Sequence, residues 1–163
     1  MRKILNSEQA IETAIKLRKD GKSIVLVGGI FDILHIGHIN FLQKAKEKGK
    51  VLFVLLESDK NASRLKGPNR PINTQEARAN VISALEAVSY VVMLPEMKND
   101  DDYDRLVTRL QPTIIAVTRN DKNTEHKVRQ AGKINSRVIS VVSQIQNQST
   151  SRIARIIEKE NAI

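Results

Sequence analysis

The chain has 163 residues, 40% of them hydrophobic, a size and apolar content that suit one domain with a proper core. Cysteine is absent, which excludes disulfides and cysteine-ligated metal sites. The formal net charge of +9 is spread along the whole chain, as on a solvated lysine-rich surface or one that attracts small polyanions, and 3% aromatics is poor material for stacking single-stranded bases.

Asn6 can cap a first helix, with Gln9 three residues on and Gly21 at its end. Ile11, Ala14, Ile15 and Arg18 share one face of it. Residues 24–27 are continuous and β-branched, the pattern of a buried strand, and Gly28-Gly29 breaks it. Residues 38–48 read as a helix with Ile39, Leu42 and Ala45 inward and Gly49 at its end, and residues 51–56 as a second buried strand. Residues 62–71 contain Gly67, Pro68 and Pro71 and read as a loop. Beyond it, helices are expected at 74–85, 101–110 and 124–131, and strands at 90–94, 113–117 and 137–142. Ser149 caps a final helix running to about residue 161.

Five apolar strands with helices between them predict an α/β fold. The expected form is a Rossmann-like three-layer sandwich, a five-stranded parallel sheet with helices on both faces, built as a single domain over residues 1–163. In such a sheet the ligand sits beyond the carboxyl ends of the strands, where strand order reverses. No apolar run is long enough to span a bilayer and the first residues lack a signal-peptide core, so a cytoplasmic protein with no membrane partner is expected.

The first chemical constellation follows the first long strand: Gly28, Gly29, Ile30, Phe31, Asp32, Ile33, Leu34, His35, Ile36, Gly37, His38. The paired glycines let the backbone turn sharply and approach a ligand. A helix begins near Gly37, and its free N–H groups attract phosphate. His35 and His38 are three residues apart, so both imidazoles can face one side and clamp charge growing on a transferring phosphoryl group. A structural pair of histidines in a simple turn is the plainer reading of the same residues. At the other end, the hydroxyls of Ser149, Thr150 and Ser151 and the free N–H groups before Arg152 could hold further phosphates.

The string from Gly28 to His38 resembles the signature of the HxGH nucleotidyltransferases in its cytidylyltransferase-like form. Ser58-Asp59, Arg64-Leu65-Lys66-Gly67 and Arg70-Pro71-Ile72-Asn73 are similar to the adenylyltransferase half of the bifunctional heptose kinase/heptose-1-phosphate adenylyltransferases. The likeness runs from about residue 3 to the end. It implies adenylyl or cytidylyl transfer from a nucleoside triphosphate, carried with Mg2+, to a small phosphorylated acceptor. It further implies that Lys66 reaches the nucleotide phosphates, that Arg78 lies near the substrate, that residues 149–152 hold the triphosphate and that the protein is a homodimer. No protein side chains are expected to bind the metal on their own.

Two segments depart from the family pattern. After the 113–117 strand, Thr118-Arg119-Asn120-Asp121 keeps an aspartate, Asp121, beside the expected nucleotide but replaces a family glycine with Arg119. Arg119 is thereby a candidate for an added phosphate contact. Glu57 stands where relatives carry a small or amide residue, and residues 144–148 lack the family's Glu-Gly. Three alternatives stay open: cytidylyl transfer to glycerol phosphate or ethanolamine phosphate, or adenylyl transfer to flavin mononucleotide; a nucleotide-binding protein with weak or no turnover; and, least supported, a nucleic-acid binder.

Overall fold

The structure, a computed structural model, describes residues 3–119, 121–142 and 153. The elements run β1 (Ile4–Leu5), α1 (Ser7–Lys19), β2 (Ile24–Gly29), α2 (Ile36–Lys46), β3 (Val51–Leu56), α3 (Asp59–Lys66) and α4 (Gln75–Ser83). They continue with β4 (Tyr90–Met93), α5 (Asp100–Leu110), β5 (Ile114–Thr118), α6 (Thr124–Gly132) and β6 (Arg137–Val142). All described strands pair in parallel in one sheet, ordered β1-β4-β3-β2-β5-β6.

The sheet therefore has six strands where five were expected. The extra one, β1, is a two-residue edge strand pairing Ile4 with Val91 and Leu5 with Val92. Two residues are too few to show a strand's alternation, and its place is set by pairing far along the chain. The loop expected over 62–71 is also corrected, because its first half belongs to α3. Ser58 caps that helix by accepting from the Asn61 amide, and Asn61 and Ala62 are fully buried along it. Gly67 and Pro68 end the helix without disturbing the turns before them.

Alternation along the strands builds two cores. Ile24, Leu26, Phe53, Leu55, Ile115 and Val117 face α1, α5 and α6. Val25, Val27, Leu52, Val54, Leu56 and Ala116 face Phe41, Leu42 and Ala45 of α2 and Ala79 and Ile82 of α4. The ends of the helices are fastened locally: Asn6 and Gln9 form a reciprocal capping box on α1, and Asn99 caps α5 ahead of three aspartates that complement its dipole. The chain lays down β2, β3 and β4 in one direction and then crosses back to place β5 on the other side of β2. Strand order reverses between β2 and β5, which opens a crevice at their carboxyl ends.

Candidate active site

A cleft of about 950 Å³ lies at that reversal. Gly28 and Gly29 at the end of β2 line it, with His35, Gly37 and His38 from the start of α2 and Glu57 from the end of β3. Lys66, Tyr103, Thr118, Asp121 and His126 reach it from other elements. A Cβ on Gly29 would stand 2.8 Å from Cε2 of Phe31, so a side chain there would force that ring to shift, whereas one on Gly28 would only touch Leu55 at 3.9 Å. Phe31 itself has φ 48°, an uncommon backbone for a non-glycine residue, and its ring is buried against Gly29.

His35 is the N-cap of α2 rather than a residue of its first turn. Its Nδ1 accepts from the Gly37 amide at 3.1 Å, so in the neutral ring Nε2 carries the proton and is the donor left for a ligand. The His38 ring stacks on that of His35, with centroids 3.9 Å apart, and lies against Phe31 at 5.3 Å. His38 Nδ1 is buried without a hydrogen-bond partner among the described residues. Leaving that nitrogen unprotonated avoids stranding an N–H and makes Nε2 the donor of this ring too. Burial, followed by the nearby His35, pushes the His38 pKa down to about 4, and burial lowers that of His35. At neutral pH the free protein thus presents two uncharged imidazole donors at a helix start, and a bound polyphosphate would draw protons onto them.

Asp32, expected at the nucleotide, lines the cleft and at the same time fastens a loop. Its nearly inaccessible carboxylate accepts from the amides of Ile72 at 2.9 Å and Asn73 at 2.9 Å and from Arg70 Nε at 2.7 Å. Burial alone would raise its pKa, but the Asn73 and Ile72 amides and the Arg70 guanidinium outweigh that and hold it below the usual carboxylate range. Arg78, expected near substrate, is buried behind the cleft. Its guanidinium donates to the carbonyls of Asn73 (3.0 Å), Ile30 (2.6 Å) and Glu57 (2.9 Å) and to Asp59 Oδ1 (2.6 Å). One cation thereby ties together the imidazole loop, the end of β3 and the start of α4.

Lys66 ends α3, exposed at the cleft. Asp121 lines the cleft too, but its carboxylate already accepts from Lys127 Nζ at 2.6 Å and from the Asn123 amide at 2.8 Å. Arg119 is exposed outside the cleft wall, its amide on the Val142 carbonyl. Ser149, Thr150, Ser151 and Arg152 lie outside the described residues. Among the described residues, no three histidine, aspartate or glutamate side chains gather as a group able to hold a metal ion.

Two clusters reach the cleft wall. Glu57, Asn61 and Tyr103 form one network, and Asp104 accepts from His126, Gln130 and Lys133 in another, of which Glu57, Tyr103, His126 and Gln130 line the cleft. Glu57 stood out in the sequence as a departure from the family pattern, whereas its partners and the second cluster did not. Tyr103 and His126 sit within helices, where nothing local marks them.

The sequence profile of the cytidylyltransferase-like family matches residues 26–156. The bifunctional protein HldE of a Nitratiruptor species is 41% identical over 138 residues, 84% of this chain and 28% of the relative. The HldE of Wolinella succinogenes is 38% identical over 156 residues, 96% of this chain and 31% of the relative. The chain thus spans under a third of the length of these curated relatives. Among solved structures, the lipopolysaccharide core biosynthesis protein of Thermoplasma volcanium superposes with a TM-score of 0.62 at 28% identity, over 78% of this chain and all of the other. Pantoate-beta-alanine ligase of Francisella tularensis gives 0.65 at 17% identity, over 100% of this chain and 79% of the other, a likeness of fold alone. No helix among the described residues is long and apolar enough to cross a membrane. With a glycine turn and paired imidazoles at the strand-order reversal and a profile match over most of its length, the chain belongs to the cytidylyltransferase-like family of nucleotidyltransferases.

Proposed function

We propose that residues 1–163 act as a single cytoplasmic domain that transfers a nucleoside monophosphate from ATP, or CTP, to a phosphorylated sugar such as a heptose 1-phosphate. The observation that carries this reading is the pair of stacked, uncharged imidazoles at the start of α2, each with Nε2 free to donate. The likeness to a protein named for lipopolysaccharide core biosynthesis supports a sugar phosphate as the acceptor.

In the reaction, an oxygen of the acceptor phosphate attacks the α-phosphorus of the triphosphate. A new P–O bond forms, the bond from the α-phosphorus to the bridging oxygen breaks, and pyrophosphate leaves with the electron pair. The attacking phosphate is already ionised, so no general base is required. His35 and His38 donate to the oxygens on which negative charge grows, and Lys66 follows that charge from the end of α3. The family resemblance assigns the remaining phosphates to residues 149–152, which lie outside the described residues. Asp32 and Arg78 act indirectly, by fixing the 70–73 loop and the imidazole loop. The carboxylates of Asp32 and Asp121 are engaged by protein donors, so Mg2+ would enter on triphosphate oxygens and supply charge neutralisation there.

A panel of ATP, CTP, sugar 1-phosphates, glycerol 3-phosphate, ethanolamine phosphate and flavin mononucleotide, scored by pyrophosphate release with Mg2+, tests the reading. Release with ATP and a sugar 1-phosphate is expected. Tight triphosphate binding with no release for any acceptor would instead establish the second reading, a nucleotide binder without turnover.

A further inference from the structure

Glu57 lies directly after β3, and its amide donates to the Gly29 carbonyl at 3.1 Å, which places it one strand away from the imidazole loop. Tyr103 Oη donates to its carboxylate, with oxygens at 2.9 and 3.0 Å, and Asn61 Nδ2 donates to it at 3.0 Å. Asn61 is fully buried and also lies 3.0 Å from Tyr103 Oη. Arg64 closes the cluster by donating to the Met97 carbonyl at 2.7 Å and to Asn61 Oδ1 at 3.3 Å. Glu57, Arg64 and Tyr103 all line the cleft. Burial, then the charge of Glu57, raises the Tyr103 pKa, so the phenol stays a hydroxyl donor.

The chemistry of this wall is narrow. A carboxylate offers about four acceptor positions, and the protein donors to Glu57 leave part of that capacity open to the cleft. A phosphate is repelled there, so the acceptor's phosphate must lie toward the imidazoles and its other end toward Glu57. Arg64, Lys66, Arg70 and Lys98 line the same cleft, so cations already face this space. A further cation is repelled by them, whereas neutral hydroxyls can donate to Glu57 without adding charge. We propose that Glu57, held in place by Tyr103 and Asn61, is the acceptor subsite, and that it selects a polyhydroxylated phosphate over an aminoalkyl phosphate by accepting hydrogen bonds from sugar hydroxyls. Which of the two substrates occupies this wall rests on the nucleotidyl-transfer reading; the preference for hydroxyl donors rests on the cluster itself.

The test is calorimetry with a non-hydrolysable triphosphate analogue present, titrating heptose or hexose 1-phosphates, their monodeoxy analogues and ethanolamine phosphate. Sugar phosphates are expected to bind the wild type at least about tenfold more tightly than ethanolamine phosphate, and E57Q to weaken them by about tenfold or more, as loss of a hydrogen bond to a charged group does. E57Q should leave the Kd of the triphosphate analogue within about twofold, since the sites are separate. One monodeoxy sugar should bind wild type and E57Q alike. Y103F, which keeps the ring and removes only the anchoring hydroxyl, should reproduce the loss at smaller amplitude and serves if E57Q does not fold. Unchanged sugar affinity in the folded variants, preference for ethanolamine phosphate, or an effect confined to the triphosphate would overturn the proposal. Pyrophosphate is measured in parallel mixtures that contain ATP and Mg2+ in place of the analogue. Glu57-dependent sugar binding without pyrophosphate would sink the transfer reading and leave the subsite standing, and pyrophosphate formation indifferent to Glu57 would do the reverse.

Discussion

Replacing Arg78 with methionine is expected to destabilise the protein by about 3–4 kcal/mol. The side chain is fully buried and three of its bonds go to carbonyl oxygens that lose their partner on substitution. At the lower end of the usual cost for stranding an acceptor, about 1 kcal/mol each, these account for roughly 3 kcal/mol. Asp59 is 47% exposed, so its ion pair is screened by water and adds at most about 1 kcal/mol. Methionine recovers the packing of the stem but none of the donors. Urea unfolding followed by circular dichroism reads the loss. With a slope of about 2 kcal/mol/M, the midpoint should fall by about 1.5–2 M. Arg78→Lys should recover little, because one ammonium cannot reach acceptors spread over three segments. A loss below about 1 kcal/mol, or full rescue by lysine, would refute the view that this guanidinium is the joint between the loops.

Gly29→Ala should cost about 1–3 kcal/mol and lower turnover, because its Cβ would meet the Phe31 ring at 2.8 Å; an unchanged melting temperature would show that the ring moves freely aside. Asp32→Asn should cost about 3 kcal/mol and make the 66–73 segment a site of early proteolytic cleavage, since Arg70 is left nearly buried without its partner; an unchanged cleavage pattern would remove Asp32 from this role. The depressed His35 and His38 pKa values mean that unfolding takes up protons below the unfolded histidine pKa of about 6.5. Their contribution to stability is therefore complete above about pH 6.5 and declines as the pH falls toward 4. Denaturation at pH 7 and pH 5 should show a loss in the wild type that is smaller in His38→Gln, and equal losses would contradict the neutral-imidazole assignment.

Much of the architecture was legible in the sequence because the strands of a parallel sheet, buried on both faces, are continuous apolar runs. Residues 51–56 carry that signal in full, and β3 occupies them. What was not legible depends on pairing at a distance. Ile4 and Leu5 become a strand only through Val91 and Val92. The imidazole loop could be read because its chemistry is local, with both rings and the helix start within a few residues. Asp32 and Arg78 could not be assigned that way: proximity to the histidines does not say whether a side chain faces a ligand or another loop. The partners of Asp32, Ile72 and Asn73, lie 40 and 41 residues away, and Arg78 reaches back 48 residues to Ile30.

The most direct test of the central claim is single-turnover pyrophosphate release by His35→Ala and His38→Ala, with triphosphate affinity measured on the same preparations. Donors that act on charge formed in transit should matter far more for rate than for binding. Each variant is expected to lose about two to three orders of magnitude in rate. Rates within about threefold of the wild type in both variants would contradict the claim that the stacked imidazoles stabilise the transferring phosphoryl group.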